Sequence, residues 1–323
     1  IVLSGAIPIF IHPEIDEEYG ITHGISAESV EKAIKKYPDA KAVLVINPTY
    51  YGFAADLKRI VDISHAANIP VIVDEAHGVH LKFHDELPLS AMQAGADMAA
   101  TSVHKLGGSM TQSSVLNVRE GLVSVNRVQS ILSMLSTTST SYPLLASLDC
   151  ARRQLAVRGH DLIHDTLRIA KDARKQINRI PHLKVAGREK LTSSATYDMD
   201  QTKLLISVKD LGITGHEAEE WLRHNANIEV ELSDLYNILC IVTLGDTKKE
   251  VNLLINALKR MSQAFDSEAC VKETEVNVPD IPALAMTPRD AFYSSTEMIP
   301  LKESAGYICA EFVMVYPPGI PIF

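Results

Sequence analysis

The chain has 323 residues, 46% hydrophobic and 22% charged, with a formal net charge of −9. Such a chain can bury an ample core and is long enough for two domains and a smaller third piece. The acidic balance argues against non-specific nucleic-acid binding, and no run of about 18 apolar residues suggests a membrane span.

Ile1-Val2-Leu3-Ser4-Gly5 reads as the last turn of a helix stopped by Gly5, followed by a strand over Ile7–Ile11. Short apolar runs then alternate with helical patterns. Strands are expected at 42–47, 71–74, 98–101 and 114–118. They lack polar alternation, as in parallel strands buried on both faces. Ser26 is the candidate N-cap of one helix. A second is expected over Ala54–Ala67, with Leu57, Ile60, Val61 and Ile63 near helical spacing. This order predicts an α/β domain with a mainly parallel sheet and flanking helices, whose ligands sit at the carboxyl ends of the strands.

From Arg127 to Ile180 the pattern is helical, punctuated by Pro143 and Gly159. A smaller α/β region follows, with strands near 203–208, 229–232 and 238–243 and helices over 215–224 and 248–265. The expected division is 1–150, 151–265, a linker at 266–283, and the start of a further domain at 284–323. Thr287-Pro288 opens a helix there, with Thr as cap and Pro at the first helical position. Cys150, Cys240, Cys270 and Cys309 are far apart in sequence and fit neither a zinc motif nor a disulfide framework. They read as thiols in a reducing cytosol, so a cytoplasmic location is expected. The first residues do not read as a signal peptide.

Three polar clusters fall at strand ends. In Thr101-Ser102-Val103-His104-Lys105-Leu106-Gly107-Gly108 a lysine follows an apolar strand and precedes two glycines. A partly desolvated lysine has a lowered pKa and can attack an aldehyde; the alternative is a solvated loop lysine. Ser102 and His104 are candidate phosphate donors. In Val71-Ile72-Val73-Asp74-Glu75-Ala76-His77-Gly78 the strand ends in an acid. Asp74 can pair with a pyridinium nitrogen and keep a ring electron-poor, or it can cap the next turn. Ala76 is small enough to lie under a flat ring, and His77 either supports a cofactor or packs. Asn47 is a candidate donor to a ring hydroxyl. Asp74 and Lys105, at the ends of successive strands, make a more specific pair than either residue alone. His77, His80 and His84 lack metal-ligand spacing, and no metal is expected. The hydroxyl run containing Thr138 and Ser139 suits phosphate oxygens or an ordinary polar loop.

At these residues the chain resembles the Orn/Lys/Arg decarboxylases, enzymes that use pyridoxal 5′-phosphate (PLP) on the aspartate-aminotransferase fold (fold type I). The resemblance is closest to the biosynthetic arginine decarboxylases of Gram-positive bacteria. It is carried by Asn47-Pro48-Thr49-Tyr50, Asp74-Glu75-Ala76-His77-Gly78, Ala100-Thr101-Ser102-Val103-His104-Lys105 and Tyr316-Pro317-Pro318-Gly319-Ile320-Pro321. It implies Lys105 as the Schiff-base lysine and Asp74 as the partner of the pyridine nitrogen. Ser102, His104, Thr138 and Ser139 would lie near the phosphate, the last two across a dimer interface. It also implies a homodimer or higher homo-oligomer. The family carries a further N-terminal portion, with a phosphate-binding turn and a ring-stacking histidine, and a closing C-terminal stretch. This chain is therefore expected to be a fragment, or the ordered part of a longer protein.

The expected reaction is α-decarboxylation of a basic amino acid, arginine to agmatine in polyamine biosynthesis. Lys105 or His104 is the expected acid that protonates Cα. Glu231 and Asp234 are candidates for the guanidinium, or residues of a surface acidic turn. Lysine or ornithine decarboxylation, transamination, and an inactive oligomerising scaffold stand as the alternatives.

Overall fold

Two sheets organise the larger of two units, Pro13–Thr274; the smaller joins Ile1–His12 to Glu275–Phe323. The computed structural model describes residues 1–265, 281 and 283–310, and the backbone of 314–315 and 320–321.

In the larger unit, β1 (Ile15–Asp16) and β2 (Ile21–Thr22) form a hairpin leading to α1 (Ala27–Lys36). Ser26 caps α1 by accepting from the Ser29 amide. β3 (Val43–Ile46), β4 (Phe53–Ala54) and α2 (Leu57–Ala66) follow. The helix expected from Ala54 begins at Leu57. Phe53 and Ala54 pair instead with Met199 and Asp198, and Asp56 caps α2 through Arg59 N. A long-range ladder overrides local helical periodicity at these two residues.

β5 (Val71–Asp74), α3 (Ala91–Ala94), β6 (Met98–Ser102), α4 (Val103–Leu106) and β7 (Ser114–Val118) complete the first sheet, ordered β3-β5-β6-β7. The first two pairings are parallel and β6–β7 is antiparallel. Ile46, Asp74 and Ala100 stand in register across the carboxyl ends of the parallel strands. One face is core, with Val45, Val71, Val73 and Ala99 buried, and α2 packs against β5. The expectation of burial on both faces is corrected: Leu44 and Ile46 are 64% and 62% exposed, and Asp74 and Ala100 are exposed beside them. Among the described residues, no element covers that face.

α5 (Val125–Leu135) precedes α6 (Tyr142–Ile177), a helix of 36 residues. Pro143 sits in its first turn, where a missing N–H costs nothing. Gly159, expected to punctuate the helix, lies inside it. A β-carbon there would stand 3.2 Å from the Phe83 ring, so glycine admits the ring rather than ending the helix.

The second sheet is built from β8 (Lys184–Val185), β10 (Lys203–Ser207), β11 (Leu232–Ser233) and β12 (Asn237–Ile241), in the order β11-β12-β10-β8, all antiparallel. β9 (Asp198–Met199) is the partner of β4. α7 (Gly215–Ala226) and α8 (Lys248–Ala264) both begin with reciprocal capping boxes, Thr214–Glu217 and Thr247–Glu250. They pack with the end of α6 on one face, around Leu204, Ile206, Leu222, Ile238 and Leu258. The opposite face carries Tyr19, Phe53, Met199, Leu205 and Leu239. The β4–β9 pairing thereby draws the chain after β3 over to the start of β10.

In the smaller unit, Gly5 closes a turn at φ +70°, its N–H donating to Ile1 O at 3.0 Å. The strand expected over Ile7–Ile11 is not formed. No ladder partner reaches it among the described residues, and Ile7, Ile9 and Phe10 are exposed. An apolar run needs a neighbouring strand to satisfy its backbone groups. Thr287 caps α9 (Pro288–Tyr293) by accepting from Asp290 N. β13 (Met314–Val315) and β14 (Ile320–Pro321) pair antiparallel. Tyr316–Gly319, Cys270 and most of the expected linker lie outside the described residues.

Candidate active site

β5 ends at Asp74, and the chain then turns. Asp74 Oδ1 accepts from Ala76 N at 3.0 Å, so the residue does cap its turn. It remains exposed on the open face, and no described donor reaches Oδ2. Ala76 is half-buried. Glu75 points the opposite way and is buried, accepting from Ala91 N at 2.6 Å and from the Thr101 hydroxyl at 3.3 Å. Burial raises its carboxyl to about 7 against those two donors.

β6 delivers the next cluster. Ser102 is half-buried and is the residue from which α4 starts. His104 Nδ1 donates to Ser113 O at 2.8 Å, which leaves Nε2 to meet a further group. Lys105 is exposed, so this chain does not desolvate it as the apolar flanks suggested. Its Nζ lies 3.2 Å from His77 Nε2. The structure therefore joins the two strand-end motifs through His77 and Lys105.

Asn47, at the end of β3, is almost fully buried. Its Oδ1 accepts from Ala55 N at 2.8 Å, which fixes the amide orientation, while Nδ2 is buried with no partner. An orphaned buried donor is costly and marks a place for an acceptor.

His77 is buried, and its other nitrogen, Nδ1, lies 3.1 Å from Lys203 Nζ. Burial first, then the charges of Lys203 and Lys105, push the imidazolium down to about 3, so the ring is neutral. Lys203, the first residue of β10, is wholly buried. It donates to Tyr50 O at 2.6 Å and stands 5.4 Å from the Tyr50 ring centre. Burial lowers its ammonium to about 8, opposed by the nearby Asp200 carboxylate. Asp200 is itself buried, 2.9 Å from His80 Nε2, and accepts from Thr202 N and Oγ1. Burial would raise its carboxyl, but His80, Lys203 and Thr202 together hold it well below the usual range.

Tyr50 extends the cluster. Its ring lies 4.5 Å from that of His77, and its hydroxyl donates to Glu231 Oε1 at 2.6 Å. Glu231 is exposed. Asp234 differs: Oδ1 accepts from Tyr236 N, Asn237 N and Asn237 Nδ2, and Oδ2 from the Tyr51 hydroxyl. Its carboxylate organises the β11–β12 turn. Thr138 and Ser139 are exposed between α5 and α6, with Thr138 at the rim of a groove under Leu116, Val118 and Leu132. Within this chain they are not brought to Lys105.

The three histidines weighed for a metal go separate ways: His77 to the lysines, His80 to Asp200 and His84 to His164. His84, Glu86 and His164 do place ligand atoms within 4.8 Å of one another. Glu86 is held by Lys171, and the Glu86 amide donates to His84 Nδ1.

Lys203, Asp200 and Glu75 were not singled out in the sequence, and His80 was weighed only for a metal. Lys203 carried a signal: a lone charge opening the apolar run Lys203-Leu204-Leu205-Ile206, where burial demands a partner.

A model of the Orn/Lys/Arg decarboxylase major domain matches residues 1–250, and one of the C-terminal domain matches 271–323. The chain belongs to the Orn/Lys/Arg decarboxylase family. It is 64% identical, over its whole length, to an arginine decarboxylase of Bacillus subtilis (strain 168), of which it spans 66%. An inducible lysine decarboxylase of Escherichia coli (strain K12) is 23% identical over 99% of this chain and 57% of that protein. Among solved structures, the lysine decarboxylase LdcF of Francisella novicida superposes with a TM-score of 0.81 at 22% identity, covering 98% of this chain and 56% of that one. An alanine–glyoxylate aminotransferase from Nostoc sp. gives 0.56 at 16% identity, over 72% and 64%. These two likenesses establish the fold: an α/β arrangement common to this family and to aminotransferases. Among the described residues, no helix is long and apolar enough to cross a membrane.

Proposed function

We propose that this chain provides the lysine, the ring-facing acid and the substrate-end carboxylate of a PLP-dependent arginine decarboxylase that yields agmatine and CO2. The observation that carries the reading is the open carboxyl end of the β3-β5-β6 sheet. Asp74 is exposed there, Asn47 has an unmet donor, and the Lys105 amine is tied to the same turn through His77. The donor set fits the cofactor: an acid for a ring nitrogen, an amide N–H for a ring hydroxyl, an amine for an aldehyde.

When bound, PLP supplies that aldehyde and an electron-withdrawing ring that accepts the electron pair freed as CO2 leaves. Lys105 would hold the cofactor. Asp74 Oδ2 would accept the ring N–H, with Oδ1 kept in place by the Ala76 amide. Asn47 Nδ2 would donate to the ring oxygen, and Ala76 would give the ring room. Ser102, His104 and, from a second copy of the chain, Thr138 and Ser139 would meet the phosphate. Lys105 or His104 would return the proton to Cα.

At the other end of the substrate, Glu231 is favoured over Asp234. Its carboxylate is exposed, and the Tyr50 hydroxyl orients it. A carboxylate there selects a cationic side chain. The choice of arginine rests on the 64% identity to the Bacillus subtilis enzyme. The protein would work in the cytoplasm as a homodimer or larger homo-oligomer.

Two measurements test this. The intact protein titrated with PLP should gain a near-ultraviolet or visible absorbance band that borohydride fixes to Lys105, and Lys105→Ala should lack it. Supplied with arginine, lysine and ornithine separately, it should release agmatine faster than either diamine. Cadaverine or putrescine as the main product would overturn the substrate assignment, and a band retained in Lys105→Ala would overturn the site.

A further inference from the structure

His77 stands between two lysines. Lys105 Nζ is 3.2 Å from Nε2, and Lys203 Nζ is 3.1 Å from Nδ1. A neutral imidazole has one N–H donor and one acceptor nitrogen, whereas an ammonium group only donates. The lysine facing the imidazole N–H must therefore be an amine, and the other donates to the acceptor nitrogen, as an ammonium whenever the pair holds one extra proton. If Lys203 is the ammonium, it donates to Nδ1, and Nε2–H donates to the lone pair of Lys105. If Lys105 is the ammonium, every bond runs the other way.

Building on the cofactor-lysine reading of Lys105, we propose that Lys203 is a buried proton store for Lys105, reached through His77. An N–H bond of the Lys105 ammonium breaks as Nε2–H forms, and Nδ1–H breaks as an N–H bond forms on Lys203. One proton passes from Lys105 to Lys203, the imidazole changes tautomer, and no net charge is created. Lys105 is left as the amine that attacks an aldehyde. The reverse passage returns the proton when Lys105 must act as an acid.

The surroundings suit a group that must both take and release a proton. Lys203 has the Tyr50 carbonyl at 2.6 Å, the Tyr50 ring at 5.4 Å, and the negative charges of Asp200 and Glu231 to favour its ammonium. Complete burial and the charge of Lys105 oppose it. His80, which also faces His77, is tied to Asp200. Lys203 is therefore a positioning residue: it meets His77 and Tyr50, not the substrate.

Competitive acetylation of the intact, cofactor-free protein with acetic anhydride, read by peptide mass spectrometry from pH 5 to 11, reports the amine fraction of Lys105 without any turnover. Lys203→Met should reduce Lys105 labelling at pH 8 by about tenfold. In a His77→Gln background, whose amide cannot pass a proton, adding Lys203→Met should change labelling by less than about twofold. Lys203→Gln, which keeps a donor for Tyr50 O, carries the same test if the Met variant does not fold. An unchanged curve in the Lys203 variant, or an equal drop in both backgrounds, overturns the relay. Loss of the relay alone leaves PLP fixation by Lys105 intact, whereas a Lys105→Ala protein that still fixes PLP overturns the underlying reading.

Discussion

Gly52 lies so close to Lys203 that a β-carbon at position 52 would stand 2.9 Å from Lys203 Cδ. Its φ is +95°, which side chains rarely adopt, and the Asp200 carbonyl is 3.2 Å away on the same side. Glycine here lets the β3–β4 turn close over the buried lysine. Gly52→Ala should cost about 2–4 kcal/mol, from backbone strain and overpacking together. Chemical denaturation checks the loss of stability. Displacement of Lys203 should appear as weaker Lys105 labelling in the fraction that remains folded.

Asp74 can be separated from its turn-capping role by Asp74→Asn. The amide oxygen still accepts from Ala76 N, so the turn and the fold should be kept. The charge that would hold a ring nitrogen protonated is gone. Turnover should fall by about 100-fold or more, the scale of losing one electrostatic stabiliser in an active site. Retained PLP absorbance with lost kcat is the expected signature. Equal kcat in the two proteins would remove Asp74 from the ring.

The parallel strands and the caps at Ser26 and Thr287 were legible because each is encoded locally, by an apolar run or by one side chain meeting a nearby amide. The placement of Asp74 and Lys105 just after successive strands was legible for the same reason, since each follows an apolar run. Lys203 was not, because its partners Tyr50 and His77 lie 153 and 126 residues away in sequence. The β4–β9 ladder that brings these segments together also displaced the expected helix start from Ala54 to Leu57. Gly159 misled for a different reason. A glycine inside a helix reads as a stop until the packed Phe83 ring is seen.

Glu231 and Asp234 should part company under mutation. Glu231→Gln leaves a group that still accepts from the Tyr50 hydroxyl but removes the charge that would face a cationic side chain. KM for arginine should rise by about 10–100-fold, the worth of one charge-assisted hydrogen bond, with little change in stability. Asp234→Ala strips partners from Tyr51, Tyr236 N and Asn237, so it should destabilise the β11–β12 turn by about 1–3 kcal/mol. Steady-state kinetics and thermal unfolding of the two variants distinguish these outcomes. A KM effect confined to Asp234→Ala would exchange their roles.

Glu75 makes the stability of the β5–β6 region depend on pH in the less common direction for an acid. Its carboxyl is raised by burial from 4.5 to about 7. Between those values the folded chain holds a proton that the unfolded chain has released. The unfolded state binds fewer protons there, so stability falls as pH rises from about 4.5 to about 7 and is level above. The full difference is about 3 kcal/mol at most. Glu75→Gln keeps an acceptor for Ala91 N and offers an N–H to Thr101, without a charge to bury. It should match the parent near pH 4.5 and exceed it by about 1–3 kcal/mol at pH 8. Denaturant unfolding at the two pH values measures this. A variant less stable than the parent at pH 8 would mean that the ionised Glu75 is stabilised by its two donors more than burial opposes it.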